Sequence, residues 1–230
     1  MSIMKVRSYI YSLLLLLVIA GASSCKKDNY EAPKSKLSGR VVFNGQPIGV
    51  RSNQVQLELW QHGYDFFNKI QIFVDQNGSF SALVFDGDYK LTRLPGSGPW
   101  VTQTDSIDVH VSGNTIVDVP VTPYFAVTNA AYTRSGNDIT ASVTIARGDQ
   151  GSQLEQVRLY VFRTTLLDQD NNSAIGVVNG AAVTPGTPFN ATVTIPAALT
   201  GADAVYVRVG VKTVGANELA YSAPQKIQLK

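Results

Sequence analysis

Residues 37–50 read LSGRVVFNGQPIGV, 55–60 read VQLELW, 70–85 read IQIFVDQNGSFSALVF and 86–94 read DGDYKLTRL. Short runs of alternating apolar and polar residues are separated by Asn44-Gly45, Asn77-Gly78 and Asp86-Gly87. Asn-Gly and Asp-Gly take positive φ at low cost, so they fit tight reversals between strands. Val55, Leu57 and Leu59 alternate with Gln56 and Glu58, and Ile70, Ile72 and Val74 alternate around Gln71. Period two with one apolar face marks a half-buried strand, and burying that face requires a second sheet. The pattern continues in Ile107, Val109 and Val111, then in Val117, Val119 and Val121. Ser112-Gly113-Asn114 is expected to join these two runs as a hairpin. Pro120 fits only an edge strand or a strand end.

Val121-Thr122-Pro123-Tyr124 marks a boundary, beyond which the alternation restarts. Ile139, Ala141, Val143 and Ile145 come first, then Val157, Leu159 and Val161, then Ala191, Val193 and Ile195, and finally Val205, Val207, Val209 and Val211. No long run has helical period. The chain therefore reads as all-β, two tandem β-sandwich domains at 37–123 and 124–230. The first domain resembles the carboxypeptidase regulatory-like domain, a small transthyretin-like sandwich. The residues that carry the likeness are Ser38-Gly39-Arg40-Val41, Asn44-Gly45-Gln46-Pro47, Asp75 to Phe80 and Gly87-Asp88-Tyr89-Lys90-Leu91. The second resembles an immunoglobulin- or fibronectin type III-like module in Val205-Tyr206-Val207-Arg208-Val209 and in Ser222-Ala223-Pro224 before Ile227. Tyr206 departs from that pattern, being out of phase with the valines. No cysteine pair is present to supply an immunoglobulin disulfide.

The N-terminus reads as a targeting segment. Lys5 and Arg7 precede an apolar run, Ile10 to Ala20, too short to span a bilayer, which takes roughly 20 residues. Gly21-Ala22-Ser23-Ser24 then leads to Cys25, the one cysteine in the chain. This resembles a bacterial lipobox, with Ala22 where Leu or Val is usual, and implies a signal peptide at 1–24. The implied partner is outer-membrane lipid, held through acylated Cys25. Several acyl chains on one residue anchor firmly. Residues 25–36 are polar, include Pro33 and read as a lipidated tether. Setting aside Lys5 and Arg7 leaves 17 Lys and Arg against 17 Asp and Glu. Nucleic-acid binding requires clustered positive charge, so no nucleic-acid partner is expected.

Candidate ligand-binding residues gather in the first domain. Trp60 ends a strand on the parity of Gln56 and Glu58, the solvent face of a regular strand. Tyr64, Phe66 and Phe67 lie in the following loop, and Trp100 lies in Gly96-Ser97-Gly98-Pro99-Trp100. Amphipathic rings beside Asp, Asn and Gln suit sugar stacking or protein contact. These five residues are expected to form one exposed patch. The alternative is that the loop folds back and its rings cover an open end of the sandwich.

Signals for chemistry are sparse. His62 and His110 are the two histidines, with no H-E-x-x-H spacing and no G-x-S-x-G elbow. Asp86-Gly87-Asp88 and Asp168-Gln169-Asp170-Asn171-Asn172 lack the ligand positions of a calcium loop and read as turns. Catalytic residues, metal and cofactor are expected to be none. The chain as a whole resembles a Bacteroidetes-type lipoprotein family on Asp28-Asn29-Tyr30-Glu31-Ala32-Pro33, Phe85 to Tyr89, Gly98-Pro99-Trp100 and Val121 to Phe125. That resemblance implies a cell-surface or periplasmic lipoprotein of a glycan-uptake system, beside a TonB-dependent transporter and a glycan-capture lipoprotein. It leaves three readings open: a non-catalytic polysaccharide- or oligosaccharide-binding protein, a docking module of the transporter complex, or an enzyme.

Overall fold

Positive φ at Asn44 (51°) and Gly45 (75°) folds β1 (Ser35–Phe43) onto β2 (Gln46–Pro47). That is the hairpin chemistry expected of Asn-Gly. The structure is a computed structural model that describes residues 31–63 and 68–230. The signal segment, Cys25 and the three loop aromatics Tyr64, Phe66 and Phe67 lie outside the described residues. Lys34–Lys230 form one compact unit.

The first half of that unit is two sheets. After β2 come β3 (Gln56–Trp60), β4 (Ile70–Phe73), β5 (Ser79–Val84), β6 (Gly87–Arg93), β7 (Ile107–Val111), β8 (Asn114–Ile116) and β9 (Val119–Pro120). One sheet has the order β4-β3-β6-β7, antiparallel throughout. The other is built on β1, which pairs antiparallel with β2 and β5 and parallel with β8 and β9. The alternation seen in sequence places Leu57, Leu59, Ile72, Tyr89, Leu91, Val109 and Val111 in the core between the sheets. Asp86-Gly87 carries the chain from one sheet to the other rather than closing a hairpin. The same holds for Ser112-Gly113-Asn114, correcting the expected hairpin: β7 ends one sheet and β8 joins β1 in the other. Lys36 N–H donates to Gly113 O at 3.0 Å and Val117 N–H to Ser38 O at 2.9 Å.

Parallel pairing of β8 with β1 depends on Gly39. A Cβ there would overlap the carbonyl oxygen of Val117 and crowd the Phe80 ring. Gly39→Ala is expected to cost ~2–3 kcal/mol, the range of overpacked cores. Chemical denaturation checks it; a midpoint equal to that of the parent chain would show that β8 can move aside.

The second half has β10 (Phe125–Ser135), β11 (Asp138–Arg147), β12 (Leu154–Phe162), β13 (Ala174–Asn179), β14 (Phe189–Thr194), β15 (Ala204–Thr213), β16 (Ala220–Tyr221) and β17 (Gln225–Gln228). The sheets are β10-β11-β14 and β13-β12-β15-β16, with β17 continuing on β15. This packing of a three-stranded on a five-stranded sheet agrees with the immunoglobulin- or fibronectin type III-like sandwich expected from sequence. The core is filled by the alternating residues Ile139 to Ile145, Val157 to Val161 and Val205 to Val211. The expected all-β fold of two sandwiches is what the structure shows.

The two sandwiches share buried contacts. On β15 the off-phase residue Arg208 is 1% exposed. Its guanidinium donates to Val50 O (3.0 Å) and Gln76 O (2.6 Å) of the first half, and to Leu167 O (3.3 Å) and Ser222 O (2.8 Å) of its own. It also lies 4.3 Å from the Tyr221 ring centroid. Burial pulls the guanidinium down to about 10, so it stays protonated at neutral pH. The same burial pushes the Tyr221 hydroxyl well up. Tyr221 N–H donates to Gly49 O at 2.8 Å, a backbone bridge between the halves. Arg51 pairs with Glu218 and Asp170 across the same seam. Ala126 and Ala220 of the second half pack into the first core.

Candidate functional site

β3, β6 and β7 present their polar parity on one outer sheet face. Register sets the rows: Glu58 lies between Gln71 and Thr92, Trp60 opposite Lys90, Lys90 opposite Asp108, and Asp88 opposite His110. Neighbours in such rows are about 5 Å apart at Cβ, so they act as one surface. Trp60 is half-buried, and its indole N–H donates to Thr92 Oγ1 at 3.3 Å. Thr92 in turn donates to Glu58 O at 3.4 Å. Beside the ring, Glu58 is 8% exposed and paired with Lys69.

A groove of about 740 Å³ lies beyond Lys90, which stands opposite Trp60 in the register; it is lined by Gln61, His62, Asp88, Lys90, Asp108 and His110, with Tyr89 and Val109 at its floor. Lys90 pairs with Asp108, and His110 Nδ1 lies 2.6 Å from Asp88 Oδ1. The lining therefore offers carboxylate and amide acceptors, ammonium and amide donors, and the aromatic ring of Tyr89. Among the described residues, no hydroxyl other than Tyr89 and no thiol is in that lining. Tyr89 donates its hydroxyl to Phe85 O at 2.9 Å.

The five expected patch residues are not brought together as expected. Trp60 is on the surface described, and Tyr64, Phe66 and Phe67 are outside the described residues. Trp100 is 3% exposed and belongs to the core of the first sandwich, so its place in an exposed patch is corrected. Its loop is pinned rather than flexible. Val101 N–H donates to Thr122 O (2.9 Å), Tyr124 N–H to Pro99 O (3.1 Å), and Gln56 N–H to Ser97 Oγ (2.6 Å). The ring folds back over Gly98, where a Cβ would collide with it. The Gly-Ser-Gly-Pro run that suggested mobility is what makes room for the ring.

The sequence placed Asp88 in a turn and gave Lys90, Asp108 and His110 no role in a site. Their polar parity on β6 and β7 was visible, but the register that sets Lys90 opposite Trp60, Asp108 opposite Lys90 and His110 opposite Asp88 was not. In the acidic loop after Leu167, Asp168 is satisfied by the loop's own donors. Asp168 Oδ1 accepts from Asp170 N–H (2.8 Å), Asn171 N–H (2.9 Å) and Asn171 Nδ2 (3.2 Å). Asp86 Oδ1 accepts from the Ser35 hydroxyl and from Gly113 N–H (3.1 Å), which holds its carboxyl below the usual range. Among the described residues no three His, Cys, Asp or Glu side chains converge as a metal site. No helix among them is long and apolar enough to cross a membrane.

Residues 35–122 match the N-terminal domain of a family described as protein of unknown function (DUF3823), and residues 125–226 match the domain of unknown function DUF3823_C. A DUF3823 family protein from Bacteroides ovatus has 36% identity and a TM-score of 0.81, over 86% of this chain and 100% of that one. One from Parabacteroides merdae has 38% identity and a TM-score of 0.79 over the same shares. A candidate carbohydrate binding protein from Bacteroides uniformis shares the fold at 18% identity and a TM-score of 0.70, again over 86% and 100%. No curated protein is similar to the chain in sequence.

Proposed function

The chain belongs to the DUF3823 family, and from that premise we propose that it is a non-catalytic lipoprotein that binds glycan on the outer face of the β4-β3-β6-β7 sheet. In this reading Cys25 carries the lipid anchor in the outer membrane, and the protein is an accessory of a polysaccharide uptake system. The observation that carries the binding role is Trp60. A half-exposed indole set in a polar sheet face, with a groove of acceptors and donors adjoining it through Lys90, matches a sugar's apolar C–H face and its hydroxyls. The fold shared with the Bacteroides uniformis candidate carbohydrate binding protein supports the same direction. The lysines of the face already have carboxylate partners, Lys90 with Asp108 and Lys69 with Glu58. A neutral glycan fits such a surface better than an anionic one.

The test is a glycan-binding screen on soluble residues 26–230. Trp60→Ala is expected to weaken the affinity about tenfold or more, as for a central aromatic contact, while leaving the unfolding midpoint within ~1 kcal/mol of the parent because the ring is at the surface. Undiminished binding by a folded Trp60→Ala chain would move the site elsewhere. A second reading, a docking module contacting a TonB-dependent transporter complex, is favoured by Ile70 and Phe73, 40% and 42% exposed on β4 at the margin of the same sheet. No binding across a broad panel, with tight association to a purified transporter, would select it.

A further inference from the structure

Three of the exposed large apolar side chains lie around one pole of the first domain. Leu83 is 64% exposed, Phe85 47% and Ile116 79%. Leu83 on β5 sits opposite Lys36 on β1, and Ile116 on β8 sits opposite Ser38. Leu83 and Ile116 therefore project from one outer sheet face, two strands apart, with Phe85 two residues beyond Leu83 at the sheet's end. This face is opposite in the sandwich to the one carrying Trp60. The chain enters the fold at this same pole. Ser35 and Gly113 both donate to Asp86 Oδ1, drawing together the start of β1, the end of β5 and the turn before β8.

Ser35 lies ten positions after Cys25. Even fully extended, that span reaches at most ~33–36 Å. An acyl anchor on Cys25 therefore keeps this pole within that distance of the bilayer. We propose that Leu83, Phe85 and Ile116 form a membrane-docking surface that rests on the phospholipid bilayer and turns the Trp60 face away from it. The inference rests on the lipid-anchor reading above. Apolar side chains on a polar, lysine-bearing face suit the headgroup–acyl boundary, where each adds buried apolar area and Lys36 meets anionic headgroups. Weak individually, such contacts act at the high effective concentration that a short tether provides.

The test uses the single cysteine. When Cys25 is acylated its sulfur is blocked, so Ile116→Cys or Leu83→Cys gives the full-length lipoprotein one free thiol for a polarity-sensitive fluorophore. Val177→Cys, on an exposed strand of the second domain, serves as the control. In phosphatidylethanolamine–phosphatidylglycerol vesicles the probes at 116 and 83 are expected to shift to the blue and to be quenched at least twofold by lipid-borne quencher, and the probe at 177 not. Adding Leu83→Ser and Phe85→Ser to Ile116→Cys is expected to abolish the quenching with the anchor retained. Probes at 83 and 116 that stay as solvated as in soluble residues 26–230 would overturn the inference while leaving the anchor intact. Intact mass showing no acyl chains on Cys25 would overturn the anchor and the inference together.

Discussion

Arg208→Ala is expected to lower the unfolding free energy by ~3–5 kcal/mol, the cost of breaking a buried charged network from one side. Four carbonyl oxygens, of Val50, Gln76, Leu167 and Ser222, would lose the guanidinium; the bonds to Val50 and Leu167 are buried, and Gln76 O would keep only Val50 N–H at 3.3 Å. Each such loss is costly because the acceptor stays desolvated. The guanidinium also fills the space against Tyr221, whose ring is 6.1 Å from that of Tyr160. At ~2–4 °C per kcal/mol for a unit of this size, the melting midpoint should fall by roughly 6–20 °C. The parent chain should melt in one transition, since the seam couples the halves. The variant should show two, because the loss lies at the seam and not within either core. Calorimetry reads both features. A single transition displaced by less than ~2 °C would mean that the apolar seam alone couples the sandwiches. Arg208→Lys should recover only part of the loss, because an ammonium cannot reach four divergent carbonyls with planar geometry.

Trp100→Ala should be comparably damaging for a different reason. The ring is buried in the first core, and emptying that volume costs ~3–5 kcal/mol for an aromatic-to-alanine change. Denaturant unfolding should show a lower midpoint at unchanged slope. Any binding measured at low denaturant and temperature should remain close to that of the parent. Trp60→Ala is the mirror case, losing ligand and keeping stability. If instead Trp100→Ala removed binding from a chain with unaltered unfolding, the ring would have to be reachable by ligand.

The contrast between the two tryptophans shows what the sequence could and could not convey. Alternation located most core strands, since Leu57, Leu59, Val109, Ile139 to Ile145 and Val205 to Val211 each bury the expected face. It failed where a strand has little inward bias. β10 and β13 are edge strands with largely exposed or half-exposed residues, and they carried no readable period. Trp100 was misplaced because a Gly-rich loop looks mobile until its partners are known, and those partners, residues 122–124, are set by the fold. Arg208 was unreadable for the same reason. Its parity marks the outer face of its own sheet, which is correct, but only assembly of the two halves makes that face interior. Register across β3, β6 and β7, which sets Lys90 opposite Trp60 and His110 opposite Asp88, is likewise a long-range property that no local window contains.

The backbone bridge at Gly49 has a consequence for how such sandwiches can be recombined. A Cβ at 49 would press on the Tyr221 carbonyl and the Arg208 guanidinium together. A graft that placed another all-β module after residue 123 would keep the acceptors at Gly49, Val50 and Gln76 but supply no donors to them. The transplanted partner would bring an outer sheet face evolved for solvent. Interchangeable beads on a string require neutral junctions, and this junction is specific at the level of single carbonyl groups. The two halves are therefore expected to be exchanged, duplicated or lost as one cassette.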